Sequence, residues 1–255
     1  MKRSPYDIEY YRTELAILGK LNLLKTTYSS KLPEIKDENS NSFWNYRLAK
    51  YETLSQQDGM TKDRIRIAAK FLPLGVKSVL DIGVGHGWIE ELIVKRHIDL
   101  YGNDISDRAI KNIKKRFAGS FSVQSLYNLQ YEKEFFDAIF LLEVLEHIPP
   151  SKTFKVLKKI WSLLKARGYF ILSVPMNEGL EFMSDNPNGH VRLYTIPLIC
   201  AELNLAGFKV LKLKTLYAFS KNYTLKKILT YLWKGHWKPN NIIILAQKVD
   251  RPKEY

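Results

Sequence analysis

The stretch SVLDIGVGHGWIEELIVKR, Ser78–Arg96, passes from an apolar run to an amphipathic pattern across three closely spaced glycines. The first part is typical of a short buried strand and the second of a helix. Glycine accepts positive φ angles and lets other atoms approach the backbone, so Gly83, Gly85 and Gly87 predict a tight turn that a ligand can approach closely. Trp88 stands where the dinucleotide-binding pattern G-x-G-x-x-G has its third glycine, so NAD is not the expected ligand.

The sequence around this turn alternates between strand-like and helix-like segments. Strands are predicted at 76–83, 98–106, 120–126, 136–145, 168–175, 208–219 and 240–249, and helices at 87–97, 107–117, 151–165 and 196–207. Such alternation is typical of an α/β fold, here a Rossmann-like, doubly wound, seven-stranded sheet with helices on both faces.

The chain before the turn is rich in helical patterns. Leucines recur every three residues within 10–24, and further helices are predicted at 43–54 and 61–72, the last capped by Thr61. We therefore expect an N-terminal helical extension or lid over residues 1–60, followed by the main domain over residues 61–255.

Composition indicates a globular protein of a reducing compartment. Of the 255 residues, 45% are apolar and 26% are charged, which allows a sizeable core. Cys200 is the only cysteine, so no internal disulfide can form. No apolar run approaches the roughly 18 residues of a membrane span. These features predict a cytoplasmic location.

The net charge of +14 is unevenly distributed. Residues 203–249 contain nine lysines and no Asp or Glu, a composition that attracts anionic partners or simply confers solubility. Within this part, the insertion 218–240 contains apolar residues at helical spacing together with Trp233 and Trp237. It is interpreted either as a lid that packs its apolar face over an acceptor pocket, which we prefer, or as a membrane-surface helix at 220–238.

Two carboxylates follow strand-like segments. Asp81 precedes the glycine turn, and Asp104 ends the second strand. Ligands of parallel sheets bind beyond the carboxyl ends of the strands, so Asp104 is well placed to accept hydrogen bonds from both ribose hydroxyls of a nucleoside. The alternative is that Asp104 caps the helix that begins near Asp107.

Four segments together carry a family resemblance: VLDIGVGHG, LYGNDIS, FDAIFLLEVLEHI and LKARGYFILSVP. In this order and spacing they resemble the motifs of class I S-adenosylmethionine-dependent methyltransferases, in particular the small-molecule branch that includes ubiquinone-biosynthesis-type O-methyltransferases (methyltransferase type 11/12-like). The resemblance covers roughly residues 60–255. It implies an antiparallel last strand, S-adenosylmethionine as cofactor, and methyl transfer to a hydroxyl or amine of a small-molecule, sugar or lipid-linked acceptor, which is anionic in one interpretation.

The resemblance also implies a set of cofactor-binding residues. The glycines would pass beneath the methionine part of the cofactor, Asp104 would hold the ribose, and Leu126 would cover the adenine. Ser125 stands where the family usually has an acid that contacts the adenine amino group, which is a departure from the family pattern. The whole implied set is Asp81, Gly83, Gly85, Gly87, Asp104, Ile105, Ser125, Leu126, Leu142 and Glu143.

Two histidines are candidates for a catalytic base, since histidine titrates near neutral pH. His147 lies in VLEHIPP, and His190 lies in NPNGHVRLYT, where Arg192 is a candidate for holding an anionic acceptor group. The alternative for each is a role in ordering its loop. The histidines are scattered along the sequence and a single cysteine excludes a thiolate cluster, so no metal site is expected.

Two other functions remain as alternatives. The net charge fits an RNA or tRNA methyltransferase, but no separate RNA-binding module is visible, and Leu142-Glu143-Val144-Leu145 replaces the Asn/Asp-Pro-Pro-aromatic motif of amino-directed nucleic-acid methyltransferases. A nucleic-acid partner is therefore not expected. A non-catalytic cofactor-binding scaffold is the other alternative, and the intact glycine turn argues against it.

Overall fold

A computed structural model describes residues 39–50, 52–177, 189–192, 194–233 and 235–249. The helix predicted at 10–24 lies outside the described residues. The strands are β1 (Ser78–Ile82), β2 (Asp99–Asp104), β3 (Ser120–Val123), β4 (Phe136–Leu142), β5 (Leu164–Pro175), β6 (Phe208–Leu216) and β7 (Asn241–Lys248).

These strands form one sheet in the order β3-β2-β1-β4-β5-β7-β6. Strand β1 pairs in parallel with β2 and β4, and β7 pairs antiparallel with both β5 and β6. The strand order therefore reverses between β1 and β4, as in doubly wound folds. The predicted seven-stranded sheet with an antiparallel last strand is confirmed.

Helices cover both faces of the sheet. In chain order they are α1 (Asn41–Arg47), α2 (Gly59–Phe71), α3 (Trp88–Ile93), α4 (Asp107–Lys114), α5 (Pro150–Leu163), α6 (Ile196–Leu205) and α7 (Tyr223–Leu232). Successive strand residues point to opposite faces, so Leu80 and Ile139 pack in one apolar cluster with α5 and α6. Val79 and Phe140 pack in the other, with α2, α3 and α4.

The N-terminal boundaries of two predicted helices were wrong. Within the segment predicted as one helix at 43–54, the described residues form α1, which begins at Asn41 and ends at Arg47, and Leu54 starts a short 3-10 helix. Helix α2 begins before Thr61, because Asp58 has an extended backbone and its side chain accepts a hydrogen bond from the Thr61 amide. Asp58, not Thr61, is thus the N-cap.

Three strands, β3, β4 and β6, end three residues earlier than predicted, and the local cause is visible for two of them. After β3, the Ser125 side chain accepts a hydrogen bond from the Tyr127 amide and starts a short 3-10 turn. After β4, Glu143 adopts a positive φ of 55°, which ends the extended conformation. Strand β6 ends at Leu216 instead of continuing to 219. The polar backbone of the loops after β3 and β4 thereby lies at the carboxyl ends of the strands.

The basic insertion contains α7, as its helical spacing predicted, but it does not pack as a lid. Leu225, Ile228 and Leu232 are 58%, 53% and 69% exposed, so these three apolar side chains point to solvent, while Leu229 of the same helix is half-buried. The other face is attached to α2: the Tyr223 hydroxyl donates a hydrogen bond to Asp63 at 2.8 Å. None of the described helices is both long enough and apolar enough to cross a membrane.

Candidate functional site

A cavity of about 290 Å³ opens at the carboxyl ends of β1, β2 and β4, where the strand order reverses. This is where open α/β sheets bind ligands. The volume is at the lower end of the range for small-molecule sites. Most of the cofactor-binding residues predicted from the sequence line it: Asp81, Gly83, Gly85, Asp104, Ile105, Ser125, Leu126, Leu142 and Glu143.

The three glycines of the turn have different structural roles, although all have positive φ. A Cβ at Gly83 would lie 2.6 Å from a Val144 methyl, so Gly83 permits close packing against the loop after β4. Gly87 is the N-cap of α3 and packs near Arg116 and Phe117; it is not among the described residues that line the cavity. A Cβ at Gly85 would meet no heavy atom closer than 4.0 Å, so this glycine keeps the cavity open.

Asp104 connects the glycine turn to β2. Its Oδ2 accepts a hydrogen bond from the Gly85 amide at 3.0 Å, and its Oδ1 accepts one from the Ser106 amide at 2.8 Å. Ser106 caps α4, because its hydroxyl accepts from the Ala109 amide at 3.1 Å. The alternative interpretation of Asp104 as the helix cap was therefore wrong. Burial raises the pKa of Asp104, although both amides favour its charged form.

Two acidic residues, one before and one after the glycine turn in sequence, form a buried pair. Asp81 at the end of β1 and Glu90 in the first turn of α3 are both buried. Burial, reinforced by the neighbouring Glu90 charge, raises the pKa of Asp81 well above its usual range. Burial likewise raises the pKa of Glu90 to about 7. Two adjacent buried carboxyls cannot both ionise cheaply, so this pair retains a proton near neutral pH.

The loop after β3 supplies polar groups without a charge. Ser125 and Gln124 both line the cavity. The Gln124 side chain is held in place by the Ser122 hydroxyl and by the Gln130 amide, at 2.6 and 2.7 Å. The described residues of this loop that line the cavity include no carboxylate, so no neighbouring residue of the loop replaces the acid that the family usually has at the position of Ser125.

Glu143 is fixed by residues that sequence reasoning missed. Arg64 of α2 donates to its Oε2 at 3.0 Å, Ser173 donates to Oε1 at 2.6 Å, and the Asn241 amide donates to both oxygens. Arg64 also lines the cavity. These partners lie 79, 30 and 98 residues from Glu143, so no local pattern could have indicated them.

His147 is the candidate base that lies at the cavity wall. Its Nδ1 is 2.9 Å from the Gly189 carbonyl oxygen, which can only accept a hydrogen bond. Nδ1 therefore carries a proton, and Nε2 lies 4.0 Å from Glu146 Oε1. Trp44 packs edge-on against the ring, with 4.9 Å between centroids, and Asn39 donates a hydrogen bond to the His147 carbonyl. Trp44 and Asn39 also line the cavity and were not predicted.

His190 lies next to His147 rather than at the described cavity wall. The two ring centroids are 4.8 Å apart, and the Val191 amide donates to the Glu146 carbonyl at 2.9 Å. Glu146 Oε1 is 4.0 Å from His147 Nε2 and 3.9 Å from His190 Nε2. The expectation that the histidines are too scattered to form a cluster was therefore wrong, because the fold brings these two together.

Arg192 does not reach the cavity, contrary to its interpretation as an anion-binding residue. Its side chain is fully buried and forms an ion pair with Glu202 and a hydrogen bond with the Thr153 hydroxyl. The Tyr194 hydroxyl donates to the other Glu202 oxygen at 3.1 Å. This network joins α5 and α6 within the core. A buried arginine of this kind needs its carboxylate partner, which removes it from ligand binding.

Comparisons with known proteins agree with this geometry. Residues 53–213 match the family described as Methyltransferase domain. Ubiquinone biosynthesis O-methyltransferase of Coxiella burnetii is 28% identical over 139 residues, which is 52% of this chain and 54% of that protein. The chain thus spans about half the length of the curated relatives that it matches.

Solved structures share the fold at low identity. The N-methyltransferase NodS of Bradyrhizobium japonicum, in complex with S-adenosylhomocysteine, is 15% identical with a TM-score of 0.63, covering 84% of this chain and all of that one. The [4+2]-cyclase SpnF is also 15% identical, with a TM-score of 0.62 and coverage of 85% and 97%. The family match covers more than half of the chain, and the chain belongs to the methyltransferase domain family, as its sequence motifs predicted.

Proposed function

We propose that this protein transfers a methyl group from S-adenosylmethionine to a hydroxyl of a small, largely apolar acceptor. The observation that carries the proposal is the cavity, whose lining joins the glycine turn, Asp104 and His147 in one space. The resemblance to ubiquinone biosynthesis O-methyltransferases supports a hydroxyl, rather than an amine, as the acceptor group.

The residues present fit the cofactor. Gly85 leaves the turn open on the cavity side, so a ligand can lie against its backbone. The buried Asp104 carboxylate lies at the end of β2, where it can accept hydrogen bonds from ribose hydroxyls. Leu126 and Ser125 offer an apolar surface and a hydroxyl for a base. When bound, S-adenosylmethionine supplies a methyl group on a positively charged sulfur, which is a good leaving group.

The residues of this chain position the acceptor and take up its proton. In the transfer, the acceptor oxygen would bond to the methyl carbon as the sulfur–carbon bond breaks, and the hydroxyl proton would have to be taken up by the protein or by solvent. In the neutral imidazole of His147, the Gly189 carbonyl would hold the ring proton on Nδ1, and Nε2 would then accept the hydroxyl proton. Trp44 and Asn39 hold the imidazole and its loop at the cavity wall. Correct placement and the exclusion of water supply most of the rate in such a displacement.

The lining of the cavity favours an apolar or aromatic acceptor over an anionic one. Trp44, Leu48, Tyr127 and Ile148 contribute apolar surface. The arginine in the described lining, Arg64, is already paired with Glu143, and Arg192 is buried elsewhere. The proposed acceptor is therefore a neutral hydroxyl compound, in place of the anionic acceptor that one interpretation of the sequence implied.

The test is an acceptor screen with methyl-labelled S-adenosylmethionine, run on the full chain and on His147→Asn. We expect label in a neutral phenolic or lipid-linked hydroxyl compound and a loss of at least about 100-fold in kcat for the variant, the scale of general-base catalysis. Labelling of RNA or of an amine instead would overturn the proposed acceptor class. Failure to bind S-adenosylhomocysteine would overturn the function itself.

We further propose that α7 attaches the protein to an anionic membrane surface. Its exposed leucines are adjacent to lysines, and residues 203–249 contain no carboxylate side chain, so the charge of this part is complementary to acidic lipids. A helix with an exposed apolar face and flanking lysines and tryptophans is typical of interfacial binding. Such a position would give the cavity access to a lipid-linked acceptor.

A further inference from the structure

Three side chains next to the cavity form a set of metal-ligand type. Glu146 and His147 lie on the short 3-10 turn Leu145–His147 after β4, and His190 lies on the segment that leads to α6. One ligand-type atom from each lies within 4.8 Å of the other two. Donors around a bound zinc ion, each at about 2.0–2.2 Å from the metal, lie about 3–3.5 Å apart. A small inward rotation of these side chains would therefore surround an ion.

We propose that Glu146, His147 and His190 bind one divalent transition-metal cation, with Zn²⁺ as the best fit to the donors. Two imidazole nitrogens with one carboxylate oxygen suit zinc and its neighbours, whereas Mg²⁺ and Ca²⁺ prefer sites made of oxygen alone. Three protein ligands also leave a coordination position open, as catalytic zinc sites do.

The surrounding hydrogen bonds orient His147 for this role. Metal-binding histidines commonly donate their second N–H to a carbonyl, which fixes the ring and directs the other nitrogen to the ion. His147 has this arrangement, with Nδ1 2.9 Å from the Gly189 carbonyl and Nε2 towards Glu146. Asn39 donates hydrogen bonds to both the Gly189 and His147 carbonyls, at 3.3 and 3.0 Å, and so holds the two segments together.

Burial supports a positive charge at this point. The Glu146 side chain is fully buried, and its carboxylate is within 4.0 Å of two imidazoles. A buried carboxylate is costly unless a cation compensates its charge. An ion held between the carboxylate and the two imidazoles would supply such a charge, and a metal titration tests for it.

The role of the ion rests on the proposed function, although its binding does not. His147 belongs both to the cluster and to the cavity wall, so the open coordination position would lie beside the acceptor. A hydroxyl bound to the ion has a lowered pKa and loses its proton to solvent more easily. In that case the Nε2 lone pair is engaged by the metal, and the ion replaces His147 as the activator of the hydroxyl.

The test is titration of the tag-free, chelator-treated full chain with ZnCl₂, followed by calorimetry, and with CoCl₂, followed by visible absorption. We expect one saturable ion per chain. Glu146→Gln and His190→Gln should each weaken Zn²⁺ binding by at least about 10-fold. His236→Gln is the matched control, because His236 is exposed and lies in the loop after α7.

His190→Asp keeps a ligand atom at this position and should restore part of the affinity that His190→Gln loses. If His190→Gln is misfolded by circular dichroism, this comparison with His190→Asp decides the matter. Absence of saturable Zn²⁺ and Co²⁺ binding, or equal affinities for the wild type and all variants, would overturn the metal site while leaving methyl transfer by His147 intact. Zn²⁺ binding without any methyl transfer would instead count against the proposed function alone.

Discussion

The cavity and α7 both lie at the carboxyl ends of the parallel strands, but one presents a concave apolar surface and the other a convex one. In the cavity, apolar side chains form a concave wall with a few fixed polar groups, such as Asp104 and Glu143. On α7, Leu225 and Leu232 protrude from a convex helix beside Lys226, while Lys227 forms an ion pair with Asp63 of α2. A concave apolar surface with a few fixed polar groups selects one small molecule. A convex surface that is apolar and basic suits an extended anionic partner. Substitutions in the cavity should therefore leave membrane binding unchanged, and substitutions on α7 should leave cofactor binding unchanged.

The largest expected effect is at the glycine turn. Gly85→Leu should weaken S-adenosylhomocysteine binding by more than about 100-fold, or roughly 3 kcal/mol, because the side chain would occupy the cavity. Calorimetric titration measures the loss. Gly75→Leu is the matched control: Gly75 also has positive φ and open space around its Cα, but it lies outside the described cavity lining. Equal binding by both variants would show that the cavity is not the cofactor site.

A smaller loss is expected at the ribose side of the cavity. Asp104→Asn removes a charged acceptor while keeping its shape, so affinity for S-adenosylhomocysteine should fall by about 1.5–3 kcal/mol, the usual scale for hydrogen bonds to charged groups. Asp99→Asn provides the control, because Asp99 is an exposed acid at the other end of β2. Unchanged affinity in Asp104→Asn would restrict Asp104 to holding the glycine turn.

At α7 the effect should appear in membrane binding alone. The wild type should sediment with vesicles that contain phosphatidylserine, and less so as salt is added, since exposed charges are screened beyond about 10 Å at 0.1 M. The double variant Leu225→Ser/Leu232→Ser should reduce this binding by about 10-fold, because two partly inserted leucines are lost. Its affinity for S-adenosylhomocysteine should not change.

Leu74→Ser is the control for α7. Leu74 is 93% exposed, but it lies beyond the C-terminal end of α2. Helix α7 contacts the N-terminal part of α2, at Asp63. If the wild type does not bind anionic vesicles, or binds RNA with a steeper dependence on salt, the membrane proposal for α7 fails.

The smallest predicted effect is on the pH dependence of stability. The pKa of Glu90 is about 7 in the folded protein, against 4.5 as its ordinary value, so the folded state binds more protons than the unfolded state between these limits. Stability from this group is therefore full below pH 4.5 and falls as the pH rises to about 7. Glu90→Gln should raise Tm by a few degrees at pH 8 and change it little at pH 5.

Glu91→Gln is the control for Glu90, since Glu91 is its exposed neighbour on α3 and pairs with Arg116 at the surface. Thermal melts of both variants across this pH range decide the question. A pH-independent shift in Glu90→Gln would show that Asp81 and Glu90 do not share a proton.

Local chemistry accounts for what could be predicted from sequence. A glycine turn between a strand and a helix needs only consecutive residues, so Gly83, Gly85 and the strand before them were recognised with their place in the sheet. The carboxylate at Asp104 was recognised in the same way, and it lines the cavity. Strand ends were less well predicted, because they depend on single events such as the positive φ of Glu143.

The tertiary structure alone decided which distant residues meet and which apolar faces are covered. Arg64 reaches Glu143 across 79 residues, and His147 and His190 meet because two loops share a backbone hydrogen bond. Arg192, which the sequence indicated as a candidate for binding an anion, is buried and paired with Glu202. The period of α7 predicted a helix but not whether its leucines face the core or solvent. Periodicity and turn chemistry are properties of neighbouring residues, whereas burial and pairing depend on the packing of the whole chain.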